Sequence, residues 1–191
     1  MRIKEDRLQA VRIARSIIDL RPIYLDTETT GLRDNDEIVE IAIIDQDGKL
    51  LLESLIHPAR RIPPDAMAIH HITDEMVRDA PRWSEVWPKV EALMTERQVA
   101  IYNADFDLRM MKQSHRIAML PWRMPQAKFL CVMKLYAQFY GDWDSYRGNY
   151  RFVSLEVAGR QSVIPLRNTH RARDDAALTR ALLHHIAAAD Q

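Results

Sequence analysis

Ile23-Tyr-Leu-Asp26-Thr-Glu28-Thr-Thr-Gly31-Leu32 is the stretch on which the reading of this 191-residue chain turns. It begins as an apolar strand and ends in a polar turn. Within it, Asp26 and Glu28 stand two residues apart, so in a strand both side chains point to the same face. Two carboxylates gathered there repel each other and resist burial. A bound divalent cation removes that difficulty, and the pattern therefore points to a metal site.

Around this strand the apolar periodicity lays out a single α/β domain. Residues 3–20 read as an amphipathic helix, with Leu8, Val11, Ala14, Ile17 and Ile18 at helical spacing, stopped by Pro22. Residues 37–45 and 49–56 read as a hairpin turning at Asp47-Gly48. Pro63-Pro64 opens a short helix, and longer ones are expected near 84–97, 106–118, 131–140 and 172–188. A strand is expected at 99–102, and 141–151 is the least regular stretch. Strands followed by alternating strands and helices imply a mixed sheet flanked by helices.

Composition narrows the classes. Twenty-seven basic residues balance 27 acidic ones, so the chain carries no basic tail. If four acids hold metal, 27 basic side chains face 23 remaining acidic ones, a modest +4 for the rest of the molecule. Cys131 is the only cysteine, which excludes an intrachain disulfide and a thiolate zinc cluster. The charged start, Met1-Arg-Ile-Lys-Glu-Asp-Arg7, lacks the apolar core of a signal peptide, and no apolar run has membrane-spanning length. The simplest reading is a cytoplasmic protein without membrane association.

Two further segments offer acids to join the pair. In Tyr102-Asn103-Ala-Asp105-Phe-Asp107, a helical wheel puts Asp107 about 40° from Met111 and about 60° from Met110, inside the apolar stripe, with Asp105 outside it. In Thr169-His170-Arg-Ala-Arg-Asp174-Asp175, Asp175 lies about 20° from Leu182 and Ile186, whereas Asp174 falls about 100° off that face. Asp107 and Asp175 are therefore the better ligands. His170 precedes the helix, and an imidazole is the natural acceptor for a proton from an attacking water. Were His170 already helical, Asp174 at i+4 would be its neighbour instead of Asp175.

Taken together, Asp26-x-Glu28, Asn103-Ala-Asp-Phe-Asp107 and His170-x4-Asp175 resemble, in order and separation, the three motifs of the DnaQ-like DEDDh 3′–5′ exonucleases. Ala68-Ile-His70-His-Ile-Thr73 resembles that family's Ile-His-Gly-Ile-Thr segment, with His71 in place of glycine. Details such as Cys131-Val-Met-Lys-Leu look closest to the exonuclease X branch. The resemblance covers roughly residues 22–188 and implies an RNase H-like fold in 22–191, with 1–21 as an N-terminal helical extension. It implies hydrolysis of phosphodiesters from a 3′ end, releasing nucleoside 5′-monophosphates. Asp26, Glu28, Asp107 and Asp175 would hold two Mg²⁺ or Mn²⁺ ions, with His170 as general base. Thr29, Thr30, Gly31, Leu32, His70 and Asn103 would meet the terminal nucleotide.

DNA 3′ ends, single strands preferred, are the leading substrate. A proofreading subunit of a polymerase, an RNA-trimming exonuclease and a catalytically inert nucleic-acid-binding module are the rivals. A homodimer and a protein partner at the N-terminal helix are both open. Trp143, Tyr146, Arg147, Tyr150 and Arg151 interleave aromatic and basic side chains; such a set either stacks bases and binds phosphates or anchors a loop. Trp83 and Trp87, four residues apart, read as core.

Overall fold

The structure, a computed structural model, describes residues 2–125 and 128–189. Helix α1 (Arg2–Asp19) leads into β1 (Ile23–Thr29), and the hairpin β2 (Ile38–Ile44)–β3 (Leu50–Leu55) follows. Helices α2 (Pro64–His70), α3 (Asp74–Val77) and α4 (Trp83–Thr95) precede β4 (Val99–Ile101) and α5 (Ala104–Ile117). Then come β5 (Phe129–Cys131), α6 (Val132–Tyr140), β6 (Trp143–Asp144), β7 (Asn149–Tyr150), α7 (Leu155–Gln161) and α8 (Ala172–Ala188). The main sheet runs β3-β2-β1-β4-β5, with β1 antiparallel to β2 and parallel to β4, and β4 parallel to β5. This mixed sheet with helices on both faces is the expected architecture.

Strand alternation divides the core into two layers. Ile23, Leu25, Val99 and Ile101 pack with Trp83, Val90, Leu108 and Met111 of α4 and α5. Tyr24 and Ala100 face the other way, toward Val11, Ala14, Leu135, Phe139, Leu178 and Leu182 of α1, α6 and α8. Asp26 and Glu28 share Tyr24's parity and therefore lie under α8.

The extended N-terminal helix is bound into this second layer by polar contacts as well. Arg15 donates from Nε to the Ala187 carbonyl (2.8 Å) and from Nη2 to that of Ala189 (3.0 Å), closing the C-terminal end of α8. Arg7 donates to the Phe139 carbonyl and lies over the Phe139 ring. Trp83 and Trp87 are buried as expected, grouped around His115.

The structure corrects the reading of 141–151. That stretch holds the β6–β7 pair, with Trp143 opposite Tyr150 and Asp144 opposite Asn149. Strands of two residues are too short for an alternation to register. The three-residue β5, the four-residue α3 and the seven-residue α7 are likewise additions to the expected elements. Among the described residues, no helix is long and apolar enough to cross a membrane.

Candidate metal-binding active site

The carboxyl ends of β1 and β4 lie side by side, where an open α/β sheet forms its ligand crevice. Asp26 and Glu28 arrive there on β1, and α8 carries Asp175 to the same face. One carboxylate oxygen from each of these three residues lies within 4.8 Å of the others. Asp107 enters from the opposite side, in the first turn of α5, and accepts a hydrogen bond from the Thr27 hydroxyl at 2.7 Å. It lines the same cavity of about 480 Å³ as Asp26, Glu28, Asp175, Asn168 and His170.

The two choices between adjacent aspartates concern burial first. Asp107 is 4 % exposed and Asp175 5 %. By contrast, Asp105 is exposed and pairs with Lys134, and Asp174 is exposed and accepts the Thr169 hydroxyl. His170 is not helical, because α8 begins at Ala172. It sits in the loop before it with φ +53°, so the i+4 relation to Asp174 does not arise. Asp175 instead turns back on that loop, accepting from the Thr169 amide (3.2 Å) and the Asn168 side chain (2.7 Å).

Burial is the first cause that pushes all four carboxyl groups up, and for Asp26 and Glu28 repulsion from the neighbouring acids follows. Asp26 rises well above the usual carboxylate range, pushed by desolvation and then by Asp107, Asp175 and Glu28. Desolvation and then the Asp175 charge take Glu28 to about 8. Asp107 and Asp175 reach about 7, each mainly through desolvation and each opposed by its hydrogen-bond donors. Among the described residues, none of the four is in an ion pair within 4.0 Å. An all-oxygen cluster of close, partly desolvated carboxylates with no cation of its own fits hard divalent ions.

The remaining candidates fall around a second cavity of about 550 Å³, which shares Thr27, Glu28, Leu32 and Phe106 with the first as lining residues. Thr29, Thr30, Gly31, Leu32 and His70 line it; Asn103 lines the first cavity, at the N-cap of α5. The Thr29 hydroxyl donates to the Gly31 carbonyl, and the Thr30 hydroxyl bonds Asp36 and the Glu37 amide. Gly31 is required by a close approach, since a Cβ there would stand 2.6 Å from Asp36 Oδ2. Leu32, 72 % exposed, projects at the junction of the two cavities. His70 is buried; its Nδ1 accepts the Ile72 amide and its Nε2 has no hydrogen-bond partner. His71 ends α2 in the left-handed region, φ +59°, a backbone position that favours glycine.

Sequence reasoning missed Glu40 and Arg171. Glu40 lies opposite Glu28 in the β1–β2 register and is 1 % exposed. It accepts from Arg171 Nε (3.1 Å), Arg171 Nη2 and the Ala172 amide (2.9 Å). A charged residue in the all-apolar run Ile38-Val-Glu40-Ile-Ala-Ile-Ile44 was the available signal. For Arg171 there was none.

The family model described as Exonuclease, RNase T, matches residues 23–183. An uncharacterized exonuclease of Escherichia phage 186 is 37 % identical over 169 residues, covering 86 % of this chain and 87 % of the relative. Exodeoxyribonuclease 10 of Escherichia coli strain K12 is 37 % identical over 163 residues, 83 % of this chain and 65 % of that protein. Among solved structures, exonuclease X in complex with 5′ overhanging duplex DNA superposes with a TM-score of 0.64 at 32 % identity, covering 86 % of this chain and 89 % of the other.

Proposed function

Given that the chain belongs to the RNase T, DnaQ-like family of 3′–5′ exonucleases, we propose that its substrate is DNA and that it removes nucleotides from 3′ ends with two divalent cations. The convergence of Asp26, Glu28 and Asp175 within 4.8 Å, with His170 on the same cavity, carries this reading. Support for DNA comes from the relatives: one is an exodeoxyribonuclease, and the exonuclease X structure contains DNA.

Asp26, Glu28, Asp107 and Asp175 would hold two Mg²⁺ or Mn²⁺ ions. When bound, such ions supply Lewis-acid charge at the scissile phosphate and the departing oxygen. The chain's own residues do the rest. Thr29, Thr30, Gly31, Leu32 and His70 form the cavity that receives the terminal nucleotide, and Asn103 lies on the adjoining wall. His170 takes a proton from the attacking water, whose oxygen bonds to phosphorus as the P–O3′ bond breaks. The freed 3′ oxygen takes up a proton, and a nucleoside 5′-monophosphate leaves. Arg171, held by buried Glu40, fixes the backbone beside His170. A proofreading role through α1 is disfavoured by the contacts that helix already makes with α6 and α8.

The test is degradation of 5′-labelled single-stranded DNA, matched RNA and duplex DNA with Mg²⁺, beside Asp107→Ala. A 3′-to-5′ ladder on DNA that vanishes in the variant is the expected result. RNA cut in preference to DNA would overturn the substrate, and no ladder with Mg²⁺ or Mn²⁺ would overturn the mechanism.

A further inference from the structure

The β6–β7 hairpin is anchored to the rest of the fold and exposes several of its side chains. Its base is fixed: the Tyr150 hydroxyl donates to Asp6 of α1, Trp143 meets Tyr150 edge-on at 5.1 Å, and the Arg151 amide donates to the Asp142 carbonyl. At its turn, Asp144 accepts the amides of Tyr146 and Arg147. The same carboxylate lies 4.0 Å from Arg147 Nε and 3.5 Å from Arg151 Nε. Asp144 thus gathers two guanidinium groups and, among the described residues, leaves most of their donors without a partner.

Two aromatic side chains of this segment reach solvent. Tyr146 is 97 % exposed and Phe152 50 %. Arg147, Arg151 and Phe152 help enclose a hollow of about 340 Å³. From there the chain runs straight into the acidic cavity, because the Val153 carbonyl accepts the Tyr102 hydroxyl, and Ser154, Leu155 and Glu156 form the cavity wall. Phe152 lies two residues before Ser154, at most about 7 Å along an extended backbone.

We propose that this hairpin binds the single-stranded segment that leads into the site, upstream of the 3′-terminal nucleotide; the proposal rests on the exonuclease reading. Exposed rings stack on bases of any sequence, and clustered arginines meet successive phosphates. Arginines already oriented by Asp144 lose less side-chain freedom when a phosphate arrives. The surface extends the nucleotide-binding cavities outward, so its contribution depends on substrate length.

Steady-state turnover of a dinucleotide and of a single strand of about twelve nucleotides tests this. The unaltered chain is compared with Tyr146→Ala/Phe152→Ala and with Arg147→Ala, all at exposed positions. For the longer strand the double variant is expected to raise KM about tenfold with kcat kept, and the dinucleotide constants stay unchanged. Arg147→Ala is expected to lower the salt dependence of long-strand binding by about one unit of slope. Equal KM values for the variant and unaltered chains on the long strand would overturn the proposal. So would a parallel loss on both substrates, which would place the hairpin's effect in the site itself. Failure of the unaltered chain to cleave either substrate would instead count against the exonuclease mechanism, and fluorescence anisotropy of the labelled strand would still read the hairpin.

Discussion

Glu28 and Glu40 face each other across the β1–β2 pair, and the fold treats the two carboxylates in opposite ways. Glu40 is fully enclosed and receives an arginine fork and a backbone amide. Glu28 sits among Asp26, Asp107 and Asp175 without an ion pair, and its carboxyl group is pushed up to about 8. Where a carboxylate serves the architecture, its partner is built in. Where four gather without one, the missing positive charge is local and matches what divalent cations would bring. The contrast separates a structural acid from a proposed ligand acid only one strand apart.

Activity offers the hardest test of that separation. Asp26→Asn and Asp107→Ala are expected to lower kcat at least about a thousandfold, since each removes a proposed ion ligand. Glu40→Gln, acting only through the Arg171 loop, is expected to lower it by about ten- to a hundredfold. Equal losses in quench-flow or steady-state assays would break the distinction and put Glu40 in the reacting cluster.

Stability inverts the ranking. Arg171→Met leaves the buried Glu40 carboxylate without its fork and is expected to cost about 3 kcal/mol by urea unfolding. Glu40→Met combined with Arg171→Leu should recover most of that loss. Asp107→Asn, in contrast, is expected to stabilise the metal-free chain by about 2 kcal/mol near pH 8, because it removes a buried charge from the cluster. A destabilised metal-free Asp107→Asn would contradict the proposed repulsion.

The same logic fixes a pH dependence. Glu28 near 8, and Asp107 and Asp175 near 7, are raised above ordinary carboxylates, so the folded metal-free chain holds more protons than the unfolded one. Their contribution is intact below about pH 4 and is lost as pH rises through 7 to 8. Thermal melts in chelator are expected to fall by several degrees between about pH 5 and 8, with Mn²⁺ restoring more at the higher pH. A melt independent of pH and ion would count against the cluster as a cation site. The smallest effect is the control: His71→Gly relieves a left-handed residue and should add about 1 kcal/mol at every pH, with or without ions.

Much of this geometry was legible in the sequence because it follows from period. The i, i+2 relation put Asp26 and Glu28 on one face, and helical wheels separated the buried Asp107 and Asp175 from their exposed neighbours. Glu40 escaped because its strand was read for apolar content, and its partner lies 131 positions away. The hairpin at 142–152 escaped because its strands are too short to show a pattern. Its aromatic and basic side chains were visible, but their gathering on Asp144 is a three-dimensional fact.

Helix α1 also sets an order of events. Its Arg15 holds carbonyls 172 and 174 positions further on, and its Arg7 reaches 132 positions away. Helix α1 thus finds its full seat only after α6 and α8, both later in the chain, exist. Without α6 and α8, Val11, Ala14 and Ile17 lose most of the side chains that cover them. Such non-local contacts make closure slow and leave α1 dependent on α8. That helix also carries Asp175, so one late docking step completes both the core and the acidic cluster.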